Sequence, residues 1–422
     1  MRKTLSLILL AVGLTGTQAQ TLDECQQAAE KNYPLIRQFD LIRQTTDLNV
    51  KNISKAWLPQ VSASAQATYQ SDVTAFPEQM QSLYQQFGID MKGLGKDQYR
   101  IGIDLHQTIY DGGAIRNQKD IAAQTGKVEE AQTEVELYNV RERVNEMYFA
   151  LLLLDDQLRL QSDLQELLLS NENKLSAMFK RGTAAESDYL SVKAERLNVA
   201  QGLTNLQARR ATLVRMLSTF CGIDVKSPVK PAAVMPAEGN LRPELLLIDS
   251  QIRLVDAQEK ALLSALIPRL GVFAQGFYGY PGYNLFDDMM SRKWSPGGMI
   301  GARLTWNIGA LYSHKNDKAK LQLVRQSAEN RREVFLFNND LQQIQQNEDI
   351  LRYRQLMADD EDIIVLRSSV RKAAESKLQH GIIDTGDLVR EINAENAARL
   401  QRSTHEIEML KEIYKLKYTT NN

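Results

Sequence analysis

The same order of short motifs occurs twice along this 422-residue chain, and this duplication constrains the fold more than any other feature. Asn32-Tyr33-Pro34-Leu35 resembles Leu241-Arg242-Pro243-Glu244, at an offset of 209 residues (243 minus 34). Farther along, Gly182 corresponds to Gly381, at an offset of 199 (381 minus 182). An ordered series of matches with one change of loop length indicates an internal repeat.

Within each copy the hydrophobic pattern changes in the same order: helical spacing, two stretches that alternate with period two, then a very long helical run. The fold class predicted is mainly α with a small β part. The first repeat spans residues 20–225, with strands at about 61–70 and 99–110 and a helical hairpin over 114–222. The second spans 226–422, with strands at about 269–280 and 299–308 and a hairpin over 310–418.

The two long runs are predicted to be helices of unusual length. From Ile115 to Phe179 there is no proline, and the only glycine is Gly126. Apolar residues recur every seven positions, which is typical of helices packed in coiled-coil fashion. Such a helix reaches roughly 95–100 Å. Each run breaks at a glycine and restarts within a few residues, so we expect antiparallel helical hairpins.

The predicted strands have one apolar and one polar face. In the second strand Ile101, Ile103 and Leu105 alternate with polar residues that include Asp104 and His106, and in the fourth strand Arg303 lies on the polar face. This alternation suits a membrane barrel with a watery lumen. It equally suits a half-buried strand of a water-soluble sheet, and for the three polar residues it suits simple cross-strand pairing.

The first nineteen residues are predicted to be a secretory signal peptide. Arg2 and Lys3 precede a short apolar core, and small residues follow where a signal peptidase cleaves. An exported chain is therefore expected. The net charge of -1 argues against a nucleic-acid partner. No nucleophile–base pair or metal-binding spacing is present, so we predict neither enzymatic activity nor a cofactor.

Only two cysteines are present, Cys25 and Cys221. In an oxidising compartment two such residues near the ends of one repeat form a disulfide if their side chains meet. The alternative is a pair of small, buried apolar side chains. Both interpretations stay open at the level of the sequence.

Four strands cannot close a barrel, which needs roughly eight. An open sheet in lipid would leave two edges with unsatisfied backbone groups. Cyclic association removes the edges, and three copies would supply twelve strands. The repeat therefore predicts a homotrimer.

The order of elements resembles the TolC-like outer-membrane efflux protein family. The residues that carry the resemblance are Thr21-Leu22-Asp23-Glu24-Cys25, Leu58-Pro59, Tyr110-Asp111-Gly112-Gly113 and the two Gly-x5-Asp turns. The resemblance implies a trimeric 12-stranded β-barrel in the outer membrane lipid, continued by a periplasmic α-helical barrel. It also implies docking onto a periplasmic adaptor (membrane fusion) protein and an inner-membrane pump of resistance-nodulation or ABC type, for multidrug efflux or type I secretion.

The resemblance further implies that the periplasmic entrance is formed by the hairpin turns, through Gly182, Asp188, Gly381, Asp384, Asp387 and Arg390. This chain departs from the best-known members, since Arg390 stands where they carry another aspartate and Ile383 stands where they carry a basic residue. A plainer interpretation of Asp188 and Asp387 is helix capping after a glycine turn. The main rival to a channel is a soluble periplasmic coiled-coil adaptor, which would lack two separate strand pairs.

Overall fold

The computed structural model describes residues 20–90, 93–237 and 239–422. The predicted signal peptide, residues 1–19, lies outside the described residues. The chain divides into two compact units. The helical unit comprises the segment that ends at Phe39 together with Ala131–Leu247 and Arg331–Asn422, and the sheet unit comprises Asp40–Glu130 and Ile248–Asn330.

The described first half of the chain forms seven regular elements and a short 3-10 turn at Lys55–Trp57. They are α1 (Leu22–Asn32), α2 (Ile36–Ser54), β1 (Gln60–Tyr69), α3 (Glu78–Gln86), β2 (Asp97–Tyr110), α4 (Ala114–Lys180) and α5 (Glu186–Cys221), with the 3-10 turn between α2 and β1. The second half contains α6 (Pro243–Ser264), β3 (Arg269–Tyr280), α7 (Leu285–Ser291), β4 (Ser295–Thr305), α8 (Ala310–Gln379) and α9 (Thr385–Thr420).

Local chemistry sets where the helices begin. Thr21 and Glu24 form a capping box at the start of α1, in which each side chain accepts a hydrogen bond from the other residue's backbone N–H. At α4, the carboxylate of Asp111 accepts hydrogen bonds from the N–H groups of Gly113 (2.8 Å) and Ile115 (2.6 Å). Gly112 has a φ of 67° there, and a Cβ at that position would lie 2.7 Å from Ile267 Cβ. A glycine is therefore required between β2 and α4.

The four strands form one antiparallel sheet in the order β1-β2-β3-β4. The register places Ile103 opposite Ala63 and Gly276, so odd-numbered residues of β2 share a face with odd-numbered residues of β1 and even-numbered residues of β3. β4 ends at Thr305, three residues before the predicted end, because Thr305 pairs with Arg269, the first residue of its partner strand β3. The indole N–H of Trp306 donates to the carbonyl of Leu266 (3.0 Å). The sheet therefore has two edges, β1 and β4.

The helical unit has two separate cores. One contains buried side chains of α1, α4, α5 and α9, among them Tyr148, Leu151 and Leu217. The other lies near the ends of the long hairpins and contains Leu168, Val192 and Leu388. The 67 residues of α4 and the 70 residues of α8 are each a single continuous helix. No helix among the described residues is both long enough and apolar enough to cross a membrane.

Candidate functional site

The two hairpin turns have the same backbone geometry. Gly182 follows α4 with a φ of 75°, and Gly381 follows α8 with a φ of 68°. In each turn the residue after the glycine donates to a carbonyl five positions earlier, Thr183 to Met178 and Ile382 to Lys377, both at 2.9 Å. This is the Schellman arrangement, which uses a left-handed residue to end a helix.

The aspartates after the two turns make different contacts. In the first hairpin the residue at the N-cap is Ala185, which has no acceptor, and the carboxylate of Asp188 accepts a hydrogen bond from the Ala185 N–H (3.2 Å). In the second hairpin Asp384 is the N-cap and its carboxylate accepts from the Asp387 N–H (2.8 Å). Asp387 is thereby released from capping, and its carboxylate pairs with Arg390 at 3.0 Å.

Farther from the turns each hairpin carries a partly buried ion pair, and the two pairs are reversed in sign. Glu172 of α4 pairs with Arg196 of α5, and Arg371 of α8 pairs with Glu395 of α9. The two ion pairs occupy corresponding positions, because Arg371 follows Glu172 by 199 residues and Glu395 follows Arg196 by 199 residues (371 minus 172, 395 minus 196). Glu395 also accepts from Arg399 at 2.7 Å, so it holds two guanidinium groups where Glu172 holds one.

These contacts change the protonation of Glu395. Burial by itself would raise the pKa of this carboxyl group, since it disfavours the charged form. The hydrogen bonds from Arg399 and Arg371 outweigh that effect, and the pKa of Glu395 is lowered. The second hairpin is therefore held together by a carboxylate that stays charged under mildly acidic conditions.

The sheet brings together the three polar residues singled out on the strands. Asp104 and His106 of β2 and Arg303 of β4 all project from the same face, because the register pairs Asp104 with Gln275, His106 with Phe273 and Arg303 with Gly271. We call this the polar face. The opposite apolar face carries Val61, Ile101, Ile103, Ile300 and Leu304, all of which are exposed.

Two phenylalanines of β3 lie on the polar face with an arginine stacked on each ring. The guanidinium carbon of Arg100 is 3.8 Å from the centroid of the Phe277 ring. That of Arg303 is 5.0 Å from the centroid of Phe273. Such cation–π contacts leave the charge and the N–H donors available to solvent. Arg100 and both phenylalanines were not among the predicted site residues, although the even spacing of Phe273 and Phe277 in a strand already places them on one face.

The two cysteines meet in the core of the helical unit. Cys25 of α1 and Cys221 at the end of α5 are both buried, with both thiols free. The hydrogen bond between the two sulfurs, followed by burial, raises the pKa of Cys25. Nearby, the Asn32 amide donates to the carbonyls of Thr219 and Phe220, both at 3.2 Å, and this fixes α1 against the end of α5. Within the described residues no group of three or more His, Cys, Asp or Glu side chains could hold a metal ion.

The match to known proteins agrees with this architecture. The model of the outer membrane efflux protein family matches residues 25–222. This match confirms the resemblance to TolC-like outer-membrane efflux proteins inferred from the motifs of the chain. No curated protein matches the sequence significantly.

Solved structures of outer-membrane proteins share the fold over nearly the whole chain. The outer-membrane channel OprN is 15% identical with a TM-score of 0.66, and the match covers 94% of this chain and 89% of OprN. The outer membrane protein VceC from Vibrio cholerae is 11% identical with a TM-score of 0.65, covering 95% and 96%. The Campylobacter jejuni CmeC outer membrane channel is 12% identical with a TM-score of 0.65, covering 94% and 85%. At these identities the likeness establishes the shared fold.

Proposed function

We propose that three copies of the chain form an exit channel through the outer membrane, which carries solutes expelled by an inner-membrane pump. The observation that carries this proposal is the apolar face of the sheet. Side chains there are strongly exposed in the single chain: Val61 by 65%, Ile103 by 59% and Ile300 by 84%. A contiguous apolar surface of this kind on a monomer requires a cover, and lipid is the cover that matches an antiparallel sheet with an opposite polar face.

The sheet edges support association of three copies. β1 runs Gln60–Tyr69 without a charged residue or a proline, which are the usual means of protecting an edge strand. In lipid each unpaired backbone group would cost several kcal/mol. Pairing of β1 of one copy with β4 of the next would satisfy both edges, and three four-stranded sheets would close a barrel of twelve strands.

The match of residues 25–222 to the outer membrane efflux protein family favours a tripartite assembly. We propose that the helical hairpins of the trimer meet a periplasmic adaptor protein, which links the channel to a pump of resistance-nodulation or ABC type. The first pump class would make the channel part of multidrug efflux, and the second would make it part of type I secretion. A passive duct lowers no reaction barrier, so an enzymatic role is not part of the proposal.

We place the closable entrance at the second hairpin turn. Asp384 caps the helix, so the carboxylate of Asp387 is not used for capping, and its side chain is 41% exposed. Threefold symmetry would arrange the Asp387 carboxylates of three copies in a ring. Arg390 would reduce the negative charge of that ring, because its guanidinium group pairs with the Asp387 carboxylate at 3.0 Å. Asp188 in the first hairpin is occupied by the Ala185 N–H, which suits a structural role at the matching turn.

We also infer that Cys25 and Cys221 are joined in the exported protein. Both thiols are buried and are hydrogen-bonded to each other, and the compartment beyond the inner membrane is oxidising. The two thiols would lose two protons and two electrons to a disulfide-bearing thiol oxidase, which is reduced to its dithiol, while one S–S bond forms in this chain. The bond would tie α1 to the end of α5.

Membrane fractionation combined with channel recording tests the proposal. We expect the protein in the outer-membrane fraction, migrating as a trimer whose mobility changes on heating, and we expect the purified trimer to conduct ions in planar bilayers. Recovery as a soluble periplasmic monomer that conducts nothing would instead support the adaptor alternative. Deletion of the gene followed by a toxicity panel would then identify the class of exported solute.

A further inference from the structure

The polar face of the sheet carries a repeated side-chain arrangement that the proposed channel does not by itself explain. Phe273 lies directly opposite Gly301 in the register of β3 and β4, and Phe277 lies directly opposite Gly102 in the register of β2 and β3. In each case an arginine lies two positions along the strand from that glycine, Arg303 after Gly301 and Arg100 before Gly102. In both cases the ring rests on the glycine opposite it in β4, Gly301 for Phe273 and Gly297 for Phe277. The stacked arginine comes from β4 for Phe273 and from β2 for Phe277.

The glycines let the rings lie against the sheet. A Cβ at Gly301 would approach the ring of Phe273 to 2.7 Å, and a Cβ at Gly297 would approach the ring of Phe277 to 2.3 Å. Both separations are too short for real side chains, so only glycine accommodates a ring in that position. The rings therefore form flat platforms on the polar face.

The platforms hold the arginines without neutralising them. Within the described part of the chain neither Arg100 nor Arg303 pairs with a carboxylate, and each stacks on its ring at 3.8 Å and 5.0 Å from the centroid. A guanidinium stacked on an aromatic face keeps its full charge and its edge donors. Arg269 lies on the same face, and Asp104 is the acidic residue that opposes these cations there.

We propose that the polar face makes the sheet section of the channel favour anionic solutes, with Arg100 and Arg303 as the residues that determine this preference. The inference rests on the proposed channel, because it assigns the polar face to the lumen. In a closed ring of three copies the two stacked arginines of each copy would place six fixed positive charges around the inner surface of the barrel. Charges of one sign lining a low-dielectric passage focus the field and raise the local concentration of the opposite ion.

The proposal is tested by reversal potentials of the full-length trimer in planar bilayers under a potassium chloride gradient. The variant R100Q/R303Q should lower the chloride-to-potassium permeability ratio by about twofold or more relative to the unaltered protein. The variant R100K/R303K should retain the ratio, because it keeps both charges. D104N should raise the ratio, since it removes the opposing charge on the same face.

Two outcomes would overturn the proposal while leaving the channel itself intact. The ratio of R100Q/R303Q could equal that of the unaltered protein, or D104N could lower it; either result excludes the polar face as the origin of ion preference. A third variant, F273L/F277L, should lower the ratio partway, because the guanidinium groups lose the rings that hold them; an unchanged ratio would refute the positioning role of the rings. Absence of any conductance from the unaltered trimer would be a failure of the proposed channel instead, and heat-modifiable migration of each variant verifies that it assembles.

Discussion

The two helical hairpins share one turn and differ in how they use charge. Both turns end a helix with a left-handed glycine and the same pair of backbone hydrogen bonds. In the first hairpin the acidic residue after the turn serves the helix, because Asp188 accepts from the Ala185 N–H. In the second the cap is a separate residue, Asp384, and the carboxylate of Asp387 is available for other contacts.

The residue at the N-cap decides which acidic side chain caps the helix that follows each turn. Ala185 and Asp384 occupy equivalent positions (384 minus 185 is 199). Where the N-cap is Ala185, the carboxylate of Asp188 accepts the hydrogen bond from the N-cap N–H. Where the N-cap is Asp384, its own carboxylate caps the helix, and the carboxylate of Asp387 is available for other contacts. The ion pairs farther along are reversed as well, Glu172 with Arg196 and Arg371 with Glu395. The two hairpins therefore share the backbone geometry of their turns and differ in electrostatics.

The largest expected effect comes from the cysteines, which only the first copy contains. A disulfide between Cys25 and Cys221 closes a long loop and would stabilise the fold by about 5 kcal/mol on chain-entropy grounds. We expect reduction with dithiothreitol to lower the melting temperature of the purified protein, with no such effect in C25S/C221S. Rapid maleimide labelling of both cysteines in the unreduced, denatured protein would show that no bond forms.

The ion pairs of the two hairpins should differ in their contribution to stability. Glu395→Gln removes the carboxylate that Arg371 and Arg399 share, with Arg371 keeping only Glu375 (2.5 Å), and should cost about 2–3 kcal/mol. Glu172→Gln removes the partner of one guanidinium group and should cost about 1 kcal/mol. Denaturant unfolding followed by circular dichroism measures both. The double substitution E172R/R196E gives the first hairpin the charge order of the second, and we expect it to recover most of the stability lost in E172R alone. Equal losses in the two single glutamine variants would contradict the inequality.

Acidification should loosen the second hairpin at its ion pair. The pKa of Glu395 is lowered in the folded protein, so its contribution is fully present above the pKa of the unfolded carboxyl group, about 4.3. That contribution is lost as the pH falls below this value through the lower folded pKa. Thermal melts between pH 7 and pH 3 should show a fall in melting temperature below about pH 4 that is smaller in Glu395→Gln. Parallel curves for the two proteins would exclude this residue as the cause.

Exchanging the caps tests the division of roles between the aspartates. Ala185→Asp supplies a true N-cap and should stabilise the first turn of α5 by about 1 kcal/mol. Asp384→Ala should cost less than this, because Asp387 can then reach back as Asp188 does. The combination D384A/D387A removes both acceptors and should cost more than the two single changes together. Hydrogen exchange of the amides at the start of α5 and α9 follows these effects residue by residue, and strict additivity would rule out the substitution of one cap for the other.

The smallest effect is expected in ion conduction. Asp387→Ala should raise the single-channel conductance or weaken block by multivalent cations, because it removes an exposed carboxylate from the proposed entrance. Asp188→Ala, the matched change in the first copy, should leave both quantities unaltered. Planar bilayer recordings of the two variants side by side provide the measurement. Identical behaviour of both variants would remove the entrance role of the second turn.

Local features of the chain were predictable where one residue type has few alternatives. The left-handed turns at Gly182 and Gly381 follow from glycine and from the aspartate six positions on, and the alternation of Ile101, Ile103 and Leu105 placed the apolar face. Contacts between distant segments were not predictable in this way. The stack of Arg100 on Phe277 depends on the register of two strands more than 170 residues apart in the chain (277 minus 100), and one residue of slippage would put the ring on the other face.

The exchange of roles between the aspartates was likewise beyond sequence reasoning. Capping and pore-lining interpretations of Asp188 and Asp387 rest on the same turn pattern, and the difference arises from whether the preceding cap residue offers an oxygen. The reversed ion pairs required the pairing of α4 with α5 and of α8 with α9, since each joins residues 24 positions apart. An antiparallel register fixes such pairs, whereas a heptad pattern alone leaves the register undetermined.

The unpaired edge of strand β1 constrains the order of folding and assembly of the protein. A ten-residue strand of small and polar side chains with an open backbone is a template for any extended chain nearby. A single copy that waits in the periplasm with its sheet formed would be drawn into aggregates before two partners arrive. For the proposed channel, strand pairing between copies and burial of the apolar face in lipid would therefore have to happen as one event. The yield of assembled protein should then fall steeply when its synthesis outruns the periplasmic chaperones that keep exported chains unfolded.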